Sequence, residues 1–123
     1  MNRWGLVMIG VAALAGSVGV FGLTVFAQGP GDPKAATEVY QQQCAKCHGD
    51  GGAGDGPDAA KTKPVPSDWT AGAGLKGMSD QELYDSIAKG GRAVGKARSM
   101  PAYPKLSETE VWNLVALVKS FQK

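Results

Sequence analysis

The chain has 123 residues, with 13 basic and 11 acidic side chains and a formal net charge of +2. A chain of this length builds one hydrophobic core rather than two. It contains only two cysteines and one histidine, which excludes a structural zinc site with four Cys or His ligands.

The N-terminus has the pattern of an export signal. Residues 5–27 are apolar or small and uncharged, behind a start whose only basic side chain is Arg3. The stretch ends in Val25-Phe26-Ala27, a spacing that suits signal peptidase, yet it is also long enough to span a bilayer. Residues 1–27 are therefore predicted to be a cleaved signal peptide or an N-terminal membrane anchor, and membrane association would run through residues 4–27.

Both alternatives place the chain after Ala27 outside the cytoplasm, because Arg3 favours keeping the start inside. In a bacterium this compartment is the periplasm, where the protein is either soluble or tethered to the inner membrane; a thylakoid lumen is the alternative. We do not expect nucleic acid as a partner there. Residues 28–34 are predicted to be a linker, and residues 35–123 a single domain.

The first predicted helix runs from Pro33 to Cys47. Asp32 is a favourable N-cap residue, and proline suits the first helical position. The helix ends in the pentapeptide Cys44-Ala45-Lys46-Cys47-His48. In an exported protein, C-x-x-C-H is the attachment motif for c-type haem.

The spacing of Cys44, Cys47 and His48 has a chemical reason. On a helical turn both thiols and the imidazole point to one side, so the thiols can form thioethers with the haem vinyl groups while His48 supplies an axial nitrogen to iron. A thioredoxin-like dithiol needs a βαβ context, which the flanking sequence lacks. A simple disulfide is the remaining alternative, although it gives His48 no role. We therefore predict one covalently attached haem c.

A long irregular loop is predicted next. Residues 49–77 are rich in Gly, Pro, Asp and Lys and show no sustained periodicity. Such a loop in a small domain is explained if it wraps around a cofactor. Trp69 in this loop and Trp112 beyond it each have two possible roles. Each is either a hydrogen-bond donor to a haem propionate or a core aromatic residue.

Two capping boxes predict the remaining helices. Ser79–Glu82 opens a helix that ends before Gly90, and Ser107–Glu110 opens a final helix to about Phe121. No segment alternates like a strand, so we predict an all-α fold with three to four helices and long loops around one haem. The predicted buried stripe of the final helix consists of Val111, Leu114, Val115 and Val118.

Met100 is the predicted second axial ligand of the iron. It lies between the last two helices and precedes Pro101, which stiffens the backbone. A thioether favours ferrous over ferric iron and raises the reduction potential relative to a second nitrogen ligand. Met78 is the competing candidate, but its side chain is already placed as a hydrophobic staple against Leu83.

Basic side chains flank Met100 in the sequence without an acidic residue between them. A solvated surface is the ordinary explanation of such a run. The alternative is a docking rim that steers acidic redox partners to the haem edge. The five basic residues are Lys89, Arg92, Lys96, Arg98 and Lys105.

From Glu38 to Lys123 the sequence resembles class I c-type cytochromes, the small bacterial monohaem proteins similar to cytochrome c6, cytochrome c551 and the haem domains of cbb3-type oxidases. The resemblance implies that the first and last helices cross. It also implies that a backbone carbonyl within 64–66 accepts a hydrogen bond from His48 Nδ1. The matching segments are Val39-Tyr40, C-x-x-C-H-G at 44–49, Gly54-Asp55-Gly56-Pro57, residues 64–69, Met100-Pro101-Ala102-Tyr103 and residues 106–112.

The expected function is electron transfer outside the cytoplasm, in a respiratory or photosynthetic chain, without enzymatic activity or catalytic residues. Cys44 and Cys47 are expected to hold the haem, and His48 and Met100 to bind the iron. One alternative is a membrane-anchored subunit of an oxidase, reductase or dehydrogenase complex. Another is a haem peroxidase or gas sensor, which needs an open iron position.

Overall fold

The computed structural model describes residues 31–123. The predicted export signal or anchor, and the first part of the predicted linker, lie outside this range. No strand is present among the described residues, so the predicted all-α fold is confirmed. The helices are α1 (Thr37–Gln43), α2 (Ala45–His48), α3 (Asp80–Lys89) and α4 (Glu108–Ser120), and short 3-10 turns lie at Ala59–Lys61 and Gly91–Val94.

None of the helices within residues 31–123 combines the length and the apolar character needed to cross a membrane.

The first helix starts later than predicted. Residues 33–36 form turns, and α1 begins at Thr37. Asp32 does not cap α1, because the N-cap of α1 is Ala36; its carboxylate accepts a hydrogen bond from the Lys34 amide at 2.9 Å and so caps the turn before the helix. The Asp32 amide donates to Asn113 Oδ1 at 2.8 Å, which holds this entry segment against α4. Asp32 therefore makes a cap-type bond on the turn at 33–36, and its amide anchors that turn to α4.

Cys44 divides the attachment segment into α1 and α2. Its φ of −116° lies far from the roughly −63° of a regular helix. Its amide still donates to the Tyr40 carbonyl at 2.8 Å, and its carbonyl accepts from the amides of Cys47 and His48 at 3.1 and 3.0 Å. The break therefore changes the backbone conformation while hydrogen bonds continue across it.

The chain between α2 and α3 contains no α-helix, as predicted, and only the short 3-10 turn at Ala59–Lys61. Both capping boxes are confirmed. The Glu82 carboxylate accepts from the Ser79 amide at 2.7 Å, and the Glu110 carboxylate accepts from the Ser107 amide at 2.8 Å. These boxes fix the starts of α3 and α4.

The core lies where α4 packs against both α1 and α3. All four predicted stripe residues of α4 are buried. Tyr40 from α1 joins them in one cluster at 1% exposure, which confirms the implied packing of the first helix against the last.

We expect Leu114→Ala to lower the free energy of unfolding by about 2–5 kcal/mol, because a buried leucine leaves a cavity that its neighbours fill only in part. Leu117→Ala is the matched control in the same helix, since Leu117 is only partly buried against the cluster. Urea denaturation of the full chain measures both changes. Equal losses at the two positions would contradict this description of the core.

Candidate haem-attachment site

The attachment motif lies at the junction of α1 and α2. Cys44 and Cys47 are half-buried free thiols, and Cys44 packs against the hydrophobic core. Burial, with a smaller contribution from the Cys47 thiol, raises the pKa of Cys44 to about 11. The thiols are not joined as a disulfide in this structure, so both have the chemistry needed to form thioethers.

The glycine-rich loop folds back onto α2. The Gly54 amide donates to the His48 carbonyl at 2.8 Å, and the Asp58 amide donates to the Lys46 carbonyl at 2.8 Å. A Cβ atom at Gly56 would collide with the Lys46 carbonyl. Glycine is therefore required at position 56 by close backbone approach, and the loop braces the attachment helix.

His48 is half-buried and stacks on Trp69, with ring centroids 4.3 Å apart and planes at 19°. Burial lowers the pKa of the imidazole, which favours the neutral form that binds metal ions. Its Nδ1 atom is buried without a hydrogen-bond partner among residues 31–123. The implied bond to a carbonyl within 64–66 is therefore wrong, and the Pro66 carbonyl lies instead against the Gly54 backbone.

Trp69 connects the imidazole to the aromatic part of the core. Its ring also stacks near Phe121, at 6.4 Å and 10°, and Phe121 lies 5.3 Å from the Tyr40 ring. The Trp69 amide donates to the Gly52 carbonyl at 2.9 Å. Trp69 is thus a packing residue, one of its two predicted roles, and its stacking on His48, which was not predicted, orients the imidazole.

Trp112 belongs to a different contact. Its ring lies 4.7 Å from Tyr84, between α4 and α3. Its Nε1 is buried without a hydrogen-bond partner among the described residues. In this structure Trp112 packs the two helices together.

Met100 is half-buried and packs against the same core cluster as Cys44. Its carbonyl accepts from the Gly91 amide at 3.1 Å. A Cβ atom at Gly90, where φ is +80°, would lie 3.1 Å from the Met100 carbonyl oxygen and 2.7 Å from the Ala102 nitrogen. The two consecutive glycines at the end of α3 therefore allow the backbone of the Met100 segment to pack closely against it.

Tyr103 brings the Met100 segment to the attachment motif. Its hydroxyl donates to the Gln43 carbonyl, directly before Cys44, at 3.1 Å. Burial raises the pKa of Tyr103 to about 12, and the thiols of Cys44 and Cys47 add in the same direction. The hydroxyl is therefore protonated at neutral pH and can donate. From the sequence alone, Tyr103 had no predicted role beyond its place in Met100-Pro101-Ala102-Tyr103.

The competing ligand candidate lies elsewhere in the core. Met78 precedes α3 and is partly buried against the cluster that contains Leu83. Its amide donates to the Leu75 carbonyl at 3.1 Å. This position agrees with a hydrophobic staple for Met78.

The donor set fits a haem iron better than a metal ion bound by protein alone. No group of three or more His, Cys, Asp or Glu side chains within residues 31–123 could hold a metal ion. A haem needs few protein ligands, because the macrocycle supplies the others. A half-buried neutral histidine directly after two free thiols meets that requirement, with Met100 available as a second ligand.

We expect Gly90→Ala to destabilise the fold more than Gly77→Ala. Both glycines have positive φ, +80° and +76°, so alanine is strained at each position. Gly90 also has a ψ of 160°, in a region that is essentially restricted to glycine and costs another residue about 1–3 kcal/mol. Only Gly90 also crowds the Met100 segment, whereas a Cβ atom at Gly77 meets nothing within 4 Å. Urea denaturation compares the two variants, and equal destabilisation would show that Gly90 does not seat this segment.

Comparisons with known proteins agree with this site. The family model for cytochrome c oxidase, cbb3-type, subunit III matches residues 31–118. A solved chain of the Kuenenia stuttgartiensis reducing HAO-like protein complex Kustc0457/Kustc0458 is 30% identical, with a TM-score of 0.61. The match covers 74% of this chain and 44% of that chain, so this chain spans less than half of its length. No curated protein sequence matches the chain significantly. The protein therefore belongs to the cbb3-type cytochrome c family, whose domain implies electron transfer through a bound haem.

Proposed function

We propose that this protein is a monohaem cytochrome c that carries single electrons outside the cytoplasm. Cys44 and Cys47 hold one haem covalently, and His48 and Met100 bind its iron. The observation that carries this proposal is the contact of Tyr103 with Gln43, which brings the Met100 segment against the C-x-x-C-H motif. The bound haem supplies the one-electron chemistry.

The polypeptide holds the two proposed ligand residues through contacts that do not involve the iron. Trp69 stacks on His48, and burial keeps the imidazole neutral. Gly91 and Tyr103 hold the Met100 segment at its two ends. Retention of the same ligands in both oxidation states keeps the reorganisation on electron transfer small, which suits an electron carrier.

We propose that the protein has no enzymatic activity of its own. A peroxidase or a gas sensor needs an iron position that an external ligand can occupy. Met100 is half-buried and its backbone is hydrogen-bonded at both its amide and its carbonyl, which supports a permanently bound ligand.

Membership of a larger complex is the second candidate function. The family is described as a subunit of cytochrome c oxidase, and the structural neighbour is part of a protein complex. The apolar residues 4–27 would then anchor the domain to the inner membrane from the periplasmic side. As a cleaved signal, they would release a soluble periplasmic carrier.

The basic side chains around Met100 support docking of acidic redox partners. All five residues of the predicted rim are exposed. Lys89 is paired with Asp85 at 3.0 Å. Among residues 31–123, Arg92, Lys96, Arg98 and Lys105 have no salt bridge. These four charges are therefore free to attract an acidic surface.

Replacement of each candidate methionine tests the ligand assignment. We expect Met100→Ala to bind carbon monoxide rapidly in the ferrous state, because loss of the thioether leaves one iron position free for an external ligand. We also expect it to lose the near-infrared sulfur-to-iron band of the ferric state. Met78→Ala is the control, a second half-buried methionine that we expect to leave both properties unchanged. Retention of the band in Met100→Ala, or its loss in Met78→Ala, would contradict the assignment.

Small charged redox reagents test the docking rim without a natural partner. We expect the double variant Arg98→Glu and Lys105→Glu to be oxidised more slowly by ferricyanide and faster by a cationic cobalt complex. The control carries Lys76→Glu and Lys123→Glu, which make the same change of net charge outside the run. Stopped-flow rates at low and high salt separate the effects, since salt screens exposed charges. Equal effects of the two double variants would contradict a localised rim.

A further inference from the structure

The segment Met100–Tyr103 is held at two ends by different kinds of contact. At its start, the Met100 carbonyl accepts from the Gly91 amide and the Met100 amide donates to the Ala97 carbonyl, both at 3.1 Å. These bonds are local and lie within the loop after α3. At its end, the Tyr103 hydroxyl reaches Gln43 at a sequence distance of 60 residues. The second contact therefore joins two separate parts of the fold.

The acceptor of the Tyr103 hydrogen bond exists because the helix breaks at Cys44. In an unbroken helix the Cys47 amide would donate to the Gln43 carbonyl. Here the Cys47 amide donates to the Cys44 carbonyl at 3.1 Å. The Gln43 carbonyl at the end of α1 is thereby free to accept a hydrogen bond from another donor. The Tyr103 hydroxyl is that donor.

The boundary between α1 and the segment Met100–Tyr103, called the seam below, is not filled by packing alone. A groove of about 400 Å³ lies there, lined in part by Val39, Gln42, Ala102 and Leu106. Tyr103 lines the same groove and is only half-buried. The Tyr103 ring packs in part against the core cluster, and its hydroxyl supplies the hydrogen bond that joins the two sides of the groove.

We propose that Tyr103 is a positioning residue that holds Met100 at the iron through its hydrogen bond to Gln43. This inference rests on the proposed function, since it concerns the ligand assigned there. Displacement of Met100 by an external ligand requires its side chain to leave the iron, and movement of the segment away from the attachment motif favours that step. Removal of the hydroxyl alone makes that movement easier while it preserves the aromatic ring.

The test is the affinity of the oxidised holoprotein for imidazole, measured by optical titration. We expect Tyr103→Phe to bind imidazole between about twofold and tenfold more tightly than the wild type, which is the range that one neutral hydrogen bond contributes. Tyr84→Phe is the matched control, because no hydrogen bond of its hydroxyl is present among residues 31–123. We expect it to bind imidazole as the wild type does.

Leu117→Ala separates this role from a general loss of stability. It removes partly buried side-chain atoms of α4 outside the seam and is expected to leave the imidazole affinity unchanged. An equal gain of affinity in Leu117→Ala and Tyr103→Phe would overturn the inference. So would wild-type affinity in Tyr103→Phe while the wild type retains its sulfur-to-iron band. Absence of that band from the wild type would overturn the proposed function and this inference together.

Discussion

One hydrogen bond links the core to the attachment motif. Tyr40 is 1% exposed, and its hydroxyl donates to the Gly49 carbonyl at 2.6 Å. A buried hydroxyl without a partner would cost free energy, so the core can accept Tyr40 only if residue 49 stays in place. Burial also raises the pKa of Tyr40 and keeps the hydroxyl protonated as a donor. The same side chain therefore packs α1 against α4 and fixes the end of C-x-x-C-H.

The other contacts of the site follow from that placement. With α2 held at its end, the glycine-rich loop returns onto its backbone and places Trp69 against His48. The break at Cys44 leaves the Gln43 carbonyl for Tyr103, which carries the Met100 segment. Two stretches separated by more than fifty residues in sequence thus meet at one motif, as a haem with two protein ligands requires.

Local signals predicted the parts of the fold that depend on neighbours in sequence. Ser79 and Ser107 form their capping boxes within one turn, so the starts of α3 and α4 could be predicted. The start of α1 at Thr37 was not predicted, because the local start signals Asp32 and Pro33 lie in the turn that precedes the helix. The break at Cys44 has no signal in helix propensity, since its neighbours are ordinary helix formers.

In the candidate site, too, features set by local sequence could be predicted and features set by distant contacts could not. The spacing of Cys44, Cys47 and His48 is local, so a haem-attachment motif could be predicted from the sequence alone. Gly90 and Tyr103 were not predicted as site residues, and the contact of Trp69 with His48 was not predicted, because these roles come from contacts between distant segments. The sequence signals available for these roles were the Gly90-Gly91 pair and the tyrosine that ends Met100-Pro101-Ala102-Tyr103.

The most direct test of the account is a pair of optical spectra, oxidised and dithionite-reduced, of the full chain expressed with a haem-attachment system. We expect a low-spin spectrum with a sharp reduced α band and a weak near-infrared sulfur-to-iron band in the oxidised form. A high-spin spectrum would contradict ligation by both His48 and Met100. Protein that loses its haem on acid–acetone extraction would contradict attachment through Cys44 and Cys47.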